Sequence, residues 1–154
     1  MTQIIVALDV DTLKKQEYLL KRLHGVIVWY KIGLQLFTAH GRRAVDLIRN
    51  RGGRVFLDLK LHDIPQTVAH AVREAHLLGV DAVSLHLMGG ADMVRAAANV
   101  SPRPKLCGVT VLTSMAPTDV KIFSPSASIP ALVKTLAKLG WVGGIDAVIC
   151  SPQE

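Results

Sequence analysis

Three charged residues that could act together in catalysis, Asp58, Lys60 and Asp63, fall within one short segment. They follow the apolar run 55–57, which predicts a β-strand whose end is charged. Side chains two apart on a strand project to the same face, so Asp58 and Lys60 are expected to lie side by side. Crowding two acids and an amine at one strand end costs desolvation, which a stable fold rarely requires. The pattern therefore favours a site that does proton or charge chemistry.

A structural interpretation of the same residues stays open. The three side chains could form an ion-pair network in which Asp63 caps the helix predicted to begin at Pro65. Lys31 favours a functional site, because it closes a second apolar run and would lie at the same end of the predicted strands as Asp58 and Lys60. Alternating amines and carboxylates would keep one another ionised. Asp9, at the end of the first run, fits a turn former as well as a site residue.

Short apolar runs alternate with amphipathic segments along the whole chain. The runs predict strands at Ile4–Leu8, Val26–Tyr30, Val55–Leu59, Ala82–Leu87, Leu106–Leu112 and Ala147–Cys150. The segments between them predict helices that start after Thr12 and end at Gly25, run from Pro65 to Gly79, cover Ala91–Asn99, and run from Pro130 to Gly140. Repeated strand-then-helix units predict an α/β fold with a parallel sheet and one domain over residues 1–154.

Polar residues at the end of every predicted strand distinguish two architectures for this sheet. In chain order they are Asp9, Lys31, Asp58 with Lys60, His86, Thr113-Ser114 and Ser151. An open doubly wound sheet would concentrate such residues at its switch point, and no glycine-rich phosphate motif follows any strand. A ring of polar strand ends instead favours part of a (β/α)8 TIM barrel, with about six units present. His86 also fits a simple strand–turn–helix joint with Gly89-Gly90.

Composition narrows the class of function. The 154 residues are half hydrophobic and carry a formal charge of +6. The basic residues are scattered rather than clustered, which favours small anionic ligands such as phosphorylated molecules over nucleic acid. No apolar run could span a bilayer and the first residues have no signal-peptide pattern, so a cytoplasmic protein is expected. Cys107 and Cys150 are predicted to be buried reduced thiols, and neither they nor the histidines have metal-site spacing.

The segment Asp58-x-Lys60-x-x-Asp63-Ile64-Pro65-x-Thr67 resembles the signature of the orotidine 5'-phosphate decarboxylase family. Four further segments resemble that family in the right order, and they are 7–9, 30–33, 109–115 and 144–154. The resemblance implies a homodimeric TIM-barrel enzyme, without metal or cofactor, that converts orotidine 5'-monophosphate to UMP in pyrimidine biosynthesis.

The resemblance also implies roles for individual residues. Lys60 would protonate C6 of the pyrimidine as carbon dioxide leaves, with Asp58 against the substrate carboxylate. Lys31 would complete the charged array and contact the ribose. The remaining implied substrate-binding residues are Asp9 for the ribose, Asp63, Ile64 and Thr67 at the site of a partner subunit, and Thr113 and Ser114 for the pyrimidine ring.

The sequence departs from the family after its sixth strand. The seventh and eighth units of the family, with the loops that bind the substrate phosphate, have no counterpart before Glu154. A polypeptide of these residues alone is expected to leave the barrel open, to be impaired in catalysis and to associate. Two other functions stay open. One is a metal-dependent decarboxylase or aldolase of sugar phosphates on the same barrel, which Lys31 argues against because relatives of that kind have a glutamate ligand there. The other is a non-catalytic remnant that dimerises or binds nucleotide.

Overall fold

The computed structural model describes residues 2–152 and contains six strands and seven α-helices within that range. The strands are β1 (Ile5–Ala7), β2 (Trp29–Gly33), β3 (Arg54–Leu61), β4 (Ala82–His86), β5 (Lys105–Val109) and β6 (Ala147–Ile149). The helices are α1 (Leu13–Arg22), α2 (Leu34–His40), α3 (Arg42–Arg49), α4 (Pro65–Leu77), α5 (Gly90–Ala98), α6 (Pro117–Phe123) and α7 (Ile129–Gly143). A 3-10 helix, Leu87–Gly89, precedes α5. Gln153 and Glu154, at the end of the last segment that resembles the family, lie outside the described residues.

All six strands are parallel, and their order in the sheet is the order of the chain, from β1 to β6. A doubly wound sheet would reverse its strand order at a switch point, whereas a barrel adds each strand beside the last. The predicted α/β fold with an incomplete TIM barrel is therefore confirmed. Since parallel strands all end at one edge of the sheet, the polar residues at those ends are brought to the same side.

Two layers of apolar side chains cover the two faces of the sheet. The larger cluster joins the helices to the sheet and is built almost entirely from Leu, Val, Ile and Ala. On the other face Trp29, Phe56 and Ala82 form a second cluster with the half-buried Cys107 and Ile149. Because side chains alternate with a period of two, the next residues on that face include Lys31 after Trp29 and Asp58 after Phe56. The second cluster therefore lies on the same face of the sheet as Lys31 and Asp58, directly before them along the strands.

Several predicted boundaries were wrong. Val26 and Val28 lie before β2 and are exposed, so Lys31 lies inside that strand rather than just beyond it. β5 ends at Val109, three residues before the predicted end at Leu112. Three helices, α2, α3 and α6, were not predicted, although the spacing of Val45 and Ile48 on α3 gives it a fully buried apolar face.

Glycine does not end the last helix where it was expected to. Gly140 lies inside α7, which continues to Gly143, and the left-handed cap is Gly144 at φ 95°. A Cβ built at Gly140 would lie 2.5 Å from Cδ1 of Ile145 and 2.8 Å from Cδ2 of Leu87. Gly140 is therefore required for close packing and not for the turn.

Cys107 and Cys150 were predicted to be buried thiols; both are free, but Cys107 is only half-buried and the predicted burial of Cys150 was wrong. Cys150 is exposed, because it follows β6, which has a neighbouring strand on one side only among the described residues. Within residues 2–152, no helix combines the length and the apolar composition that crossing a membrane would require.

Candidate active site

Asp58 is the centre of the charged group at the carboxyl ends of the strands. Its side chain is 11% exposed, and Oδ2 lies 2.9 Å from Nζ of Lys60 and 3.5 Å from Nζ of Lys31. Its other oxygen, Oδ1, accepts a hydrogen bond of 2.8 Å from the hydroxyl of Ser84, which is fully buried. The buried carboxylate is thus paired with two cations and a hydroxyl, the arrangement that a charge needs when it is withdrawn from water.

Lys31 joins this carboxylate to a second one. Its Nζ lies 3.5 Å from Oδ1 of Asp9 as well as 3.5 Å from Asp58, and its side chain is largely buried. Asp9 follows β1 and its side chain is 72% exposed, so it forms the solvent side of the array. A Cβ built at Gly33, two residues beyond Lys31, would lie 3.8 Å from Oδ1 of Asp9 and 3.8 Å from Nζ of Lys31, an ordinary contact distance.

Lys60 reaches the array through an irregular backbone. Leu57 pairs with Val83 and Leu61 pairs with Leu85, so three residues of β3 lie opposite Ser84 alone. Within this bulge Lys60 has φ 52°, and it is the one non-glycine residue with positive φ among the described residues. Such a conformation costs a lysine about 1–2 kcal/mol and is concentrated at functional sites. Bulges also re-aim side chains next to active sites.

Electrostatics keep Asp58 ionised. Burial would raise the pKa of its carboxyl, but the hydrogen bonds from Lys60 and Ser84 and the charges of Lys60 and Lys31 outweigh burial, so the pKa lies below its ordinary value. His86, at the end of β4, has a lowered pKa because it is desolvated and because His62 and Lys60 lie nearby. The rings of His62 and His86 lie 5.4 Å apart. The histidine that ends β4 thus favours its neutral form beside the ammonium groups.

Asp63, Ile64 and Thr67 lie apart from this array. Asp63 is exposed, its carboxylate accepts a hydrogen bond of 2.7 Å from the N–H of Ile64, and no ion pair joins it to Lys31 or Lys60 within residues 2–152. It is not the cap of α4, because that position is taken by Ile64, without a side-chain hydrogen bond. The capping interpretation of Asp63 was therefore wrong. All three residues face solvent at the start of α4, with Ile64 66% exposed.

Thr113 and Ser114 are also exposed. They form a turn beyond β5 that is closed by a hydrogen bond of 2.9 Å from the N–H of Met115 to the carbonyl of Leu112. This turn lies beyond the same sheet edge as the array, and both hydroxyls are open to solvent. Ser151, the polar residue predicted to follow the sixth strand, also has an interaction partner.

Ser84 is the site residue that the sequence did not single out. It lies in an apolar strand and was counted with the strand, although a lone hydroxyl among Ala82, Val83 and Leu85 was a usable signal. A buried hydroxyl needs hydrogen-bond partners, and the apolar side chains beside it on the strand cannot supply them.

The arrangement can hold an anion, oppose a second anion and deliver a proton. The two ammonium groups attract negative charge, while Asp58, fixed and ionised between them, repels any carboxylate that approaches. Lys60 is the more exposed of the two ammonium groups around Asp58, with a side chain 33% exposed, so a bound molecule can reach it. Proton transfer to a carbon that carries developing negative charge is the chemistry that best fits this geometry.

Comparison with known proteins relates this geometry to a family. The model of the orotidine 5'-phosphate decarboxylase / HUMPS family matches residues 2–154. The orotidine 5'-phosphate decarboxylase of Laribacter hongkongensis (strain HLHK9) is 46% identical over 159 aligned residues, which cover 100% of this chain and 65% of that protein. The enzyme of the same name from Geobacter sp. (strain M21) is 41% identical, over 99% of this chain and 67% of that protein.

A solved structure agrees with the sequence comparison. The crystal structure of orotidine 5'-phosphate decarboxylase from Lactobacillus acidophilus superimposes with a TM-score of 0.91 at 32% identity, over 100% of this chain and 73% of that one. The chain therefore spans about two thirds of the length of the curated relatives it matches. The family model matches nearly every residue, the relatives are more than 40% identical, and the solved structure shares the fold. The chain therefore belongs to the orotidine 5'-phosphate decarboxylase / HUMPS family.

Proposed function

We propose that this site decarboxylates orotidine 5'-monophosphate to UMP, with Lys60 as the acid that protonates C6. The observation that carries the proposal is the buried carboxylate of Asp58 held 2.9 Å from Nζ of Lys60 and 3.5 Å from Nζ of Lys31. The relatives named as orotidine 5'-phosphate decarboxylases support the choice of substrate.

The chemistry follows from charge. When carbon dioxide leaves, the bond pair stays on C6 as a carbanion that the pyrimidine ring delocalises poorly. An ammonium fixed beside C6 stabilises that charge more than it stabilises the bound substrate, and this difference lowers the barrier. Lys60 then transfers a proton to C6 and becomes a neutral amine, which solvent reprotonates. Asp58 keeps the ammonium in place and opposes the substrate carboxylate, which is lost.

Asp9 and Lys31 would bind the ribose in this proposal, and Thr113 and Ser114 would contact the pyrimidine ring. Asp63, Ile64 and Thr67 would serve the site of a second subunit in a cytoplasmic homodimer. Their exposure at the start of α4, and the absence of an ion pair between Asp63 and the array in residues 2–152, support a role outside their own subunit.

We also propose that residues 1–154 alone catalyse this reaction poorly. β1 and β6 each have a single strand neighbour within the described residues, so the walls of the substrate site are open on that side. Binding energy from a substrate phosphate helps to position the reacting ring. The family resemblance assigns phosphate binding to loops of the seventh and eighth units, which residues 1–154 do not include. Activity within about tenfold of a chimera that adds the C-terminal third of a relative would refute this proposal.

The central experiment is a decarboxylation assay that follows the loss of orotidylate absorbance, with UMP identified by chromatography. Lys60→Ala should lower the rate by about a thousandfold or more, because a preorganised charge at the reacting carbon is lost. Lys134→Ala, at an exposed position of α7, is the matched control and should react like the parent chain. UMP formation that survives Lys60→Ala would overturn the assignment of the acid.

Calorimetry separates binding from turnover. A non-catalytic remnant would bind UMP but would show no decarboxylation at any protein concentration. Binding of UMP by the Lys60→Ala variant together with loss of turnover is the result that the proposed mechanism requires.

A further inference from the structure

We infer that Ser84 is a positioning residue, which sets both the backbone of Lys60 and the carboxylate of Asp58. This inference rests on the proposed function for its catalytic consequence, but the geometric claim can be tested without substrate. Ser84 lies in β4 and is fully buried. Neither the bulge nor the hydroxyl was assigned a role by the sequence patterns that identified the lysines and aspartates.

One hydroxyl makes two hydrogen bonds to the two central residues. Oγ of Ser84 accepts a bond of 2.8 Å from the N–H of Lys60 and donates one of 2.8 Å to Oδ1 of Asp58. The direction of each bond is fixed by its partner, since an amide can only donate and an ionised carboxylate can only accept. The hydroxyl therefore links the main chain of the acid to the side chain of its neighbour.

The first bond replaces a missing bond of the sheet. Between the pairs Leu57–Val83 and Leu61–Leu85 the register shifts, and the amide of Lys60 lies in the irregular part. A partly buried amide without a partner would be costly, and Lys60 already has an unfavourable φ of 52°. The Ser84 hydroxyl gives that amide a partner in this conformation only, and so favours the bulge over a regular strand.

The second bond fixes the carboxylate. With Oδ1 held by Ser84, Oδ2 is left facing Nζ of Lys60 and Nζ of Lys31. Turning the carboxylate plane away from this position would lengthen the Ser84 bond, so the hydroxyl holds the plane at the angle in which one oxygen faces both ammonium groups. Alanine at position 84 would fill the strand but would supply neither bond.

The test compares Ser84→Ala with Ser84→Thr, which keeps the hydroxyl, and with Thr110→Val. Thr110 is also fully buried, and its hydroxyl donates to the carbonyl of Ile149, outside the array. The first readout is hydrogen exchange of the Lys60 amide by NMR in the whole chain. Ser84→Ala should speed that exchange by about tenfold or more, because one hydrogen bond to the amide is lost, while Thr110→Val should leave it unchanged.

The second readout is the titration of the Asp58 carboxyl, followed by its 13C resonance. Removal of the Ser84 donor should raise the pKa of Asp58, and Ser84→Thr should return it towards the parent value. The titratable groups that face Asp58 are Lys31 from β2, Lys60 from β3, His86 from β4 and Cys107 from β5, and all of them are retained in the three variants.

The third readout is turnover. If the proposed reaction holds, Ser84→Ala should lower kcat by about tenfold to a hundredfold with a smaller change in KM, and Ser84→Thr should recover most of the loss. Unchanged Lys60 exchange and an unchanged Asp58 titration in Ser84→Ala would overturn the inference. A parent chain without decarboxylase activity would overturn the proposed function instead, and the two NMR readouts would still decide the role of Ser84.

Discussion

Lys60 and Asp58 form an ion pair of 2.9 Å between residues two apart on one strand, and the lysine of this pair has a positive φ of 52°. In a regular strand the two side chains would already share a face, but they would project roughly parallel. The bulge between Leu57 and Leu61 changes the direction of the backbone at the lysine. The residue with the unfavourable backbone conformation is therefore the one to which the resemblance assigns proton transfer.

The strain at Lys60 predicts an unusual order of stability between two variants. Lys60→Gly and Lys60→Ala lose the same ammonium, but glycine tolerates φ 52° and alanine does not. The glycine variant should be more stable than the alanine variant by about 1 kcal/mol, the reverse of the usual order in a strand. Urea denaturation measures the difference. Equal stability, or a more stable alanine variant, would mean that the backbone relaxes once the lysine is gone.

Much of the site could be predicted because it depends on local regularities. Apolar runs predicted the strands, parallel strands bring their ends to one edge, and a period of two put Asp58 and Lys60 on one face. Lys31 was found because it follows the apolar run Val26–Tyr30, even though the strand itself, Trp29–Gly33, lies three residues further along the chain than predicted. Signals of this kind are additive along the sequence and need no knowledge of packing.

What could not be predicted depends on contacts between distant segments. The bulge and the partner of the Lys60 amide come from β4, 24 residues away along the chain. The place of Gly140 inside α7 depends on Leu87 and Ile145, which approach it only in the folded state. Cys150 is exposed because of its place at the side of the sheet, although its own segment is as apolar as a buried strand. No local pattern encodes these relationships.

Gly140 therefore predicts a destabilising substitution in a helix, where alanine normally stabilises. Gly140→Ala gains about 1 kcal/mol of helix propensity, but its Cβ would overlap Ile145 and Leu87, both buried, and overpacking costs about 1–3 kcal/mol. We expect a net loss of stability by thermal or urea denaturation. In a Leu87→Ala background the same substitution should cost less, because the space beside position 140 is then partly vacant. A stabilised Gly140→Ala variant would contradict the packing found here.

Lys31 predicts how the site responds to removal of metal ions. Its ammonium lies 3.5 Å from both Asp9 and Asp58, so the two carboxylates already share a cation of the protein itself. Prolonged treatment with a chelator should therefore leave decarboxylation unchanged, and added Mg²⁺ should not raise it. Loss of activity on chelation, with recovery on adding Mg²⁺, would favour the metal-dependent sugar-phosphate chemistry instead.

The lowered pKa of Asp58 predicts how stability depends on pH. Burial alone would raise this pKa, but the hydrogen bonds from Lys60 and Ser84 and the charges of Lys60 and Lys31 lower it below the ordinary 3.8 of the unfolded chain. A carboxyl whose folded pKa is depressed stabilises the fold above the unfolded value, and that contribution is lost as the pH falls through the folded value. At neutral pH the parent chain should therefore have a larger free energy of unfolding than the Asp58→Asn variant. This difference should narrow only below pH 3.8.

Glu74→Gln supplies the control for this pH series, because Glu74 lies on α4 with an exposed side chain and forms no ion pair among the described residues. Urea denaturation of the parent chain and both variants, from neutral pH to below 3.8, separates the buried carboxylate from an exposed one. A gap between the parent chain and Asp58→Asn that stays constant through the acid range would mean that the carboxylate contributes through packing alone. In that case the two ammonium groups would not be what holds Asp58 ionised, and the electrostatic basis proposed for the reaction would fail with it.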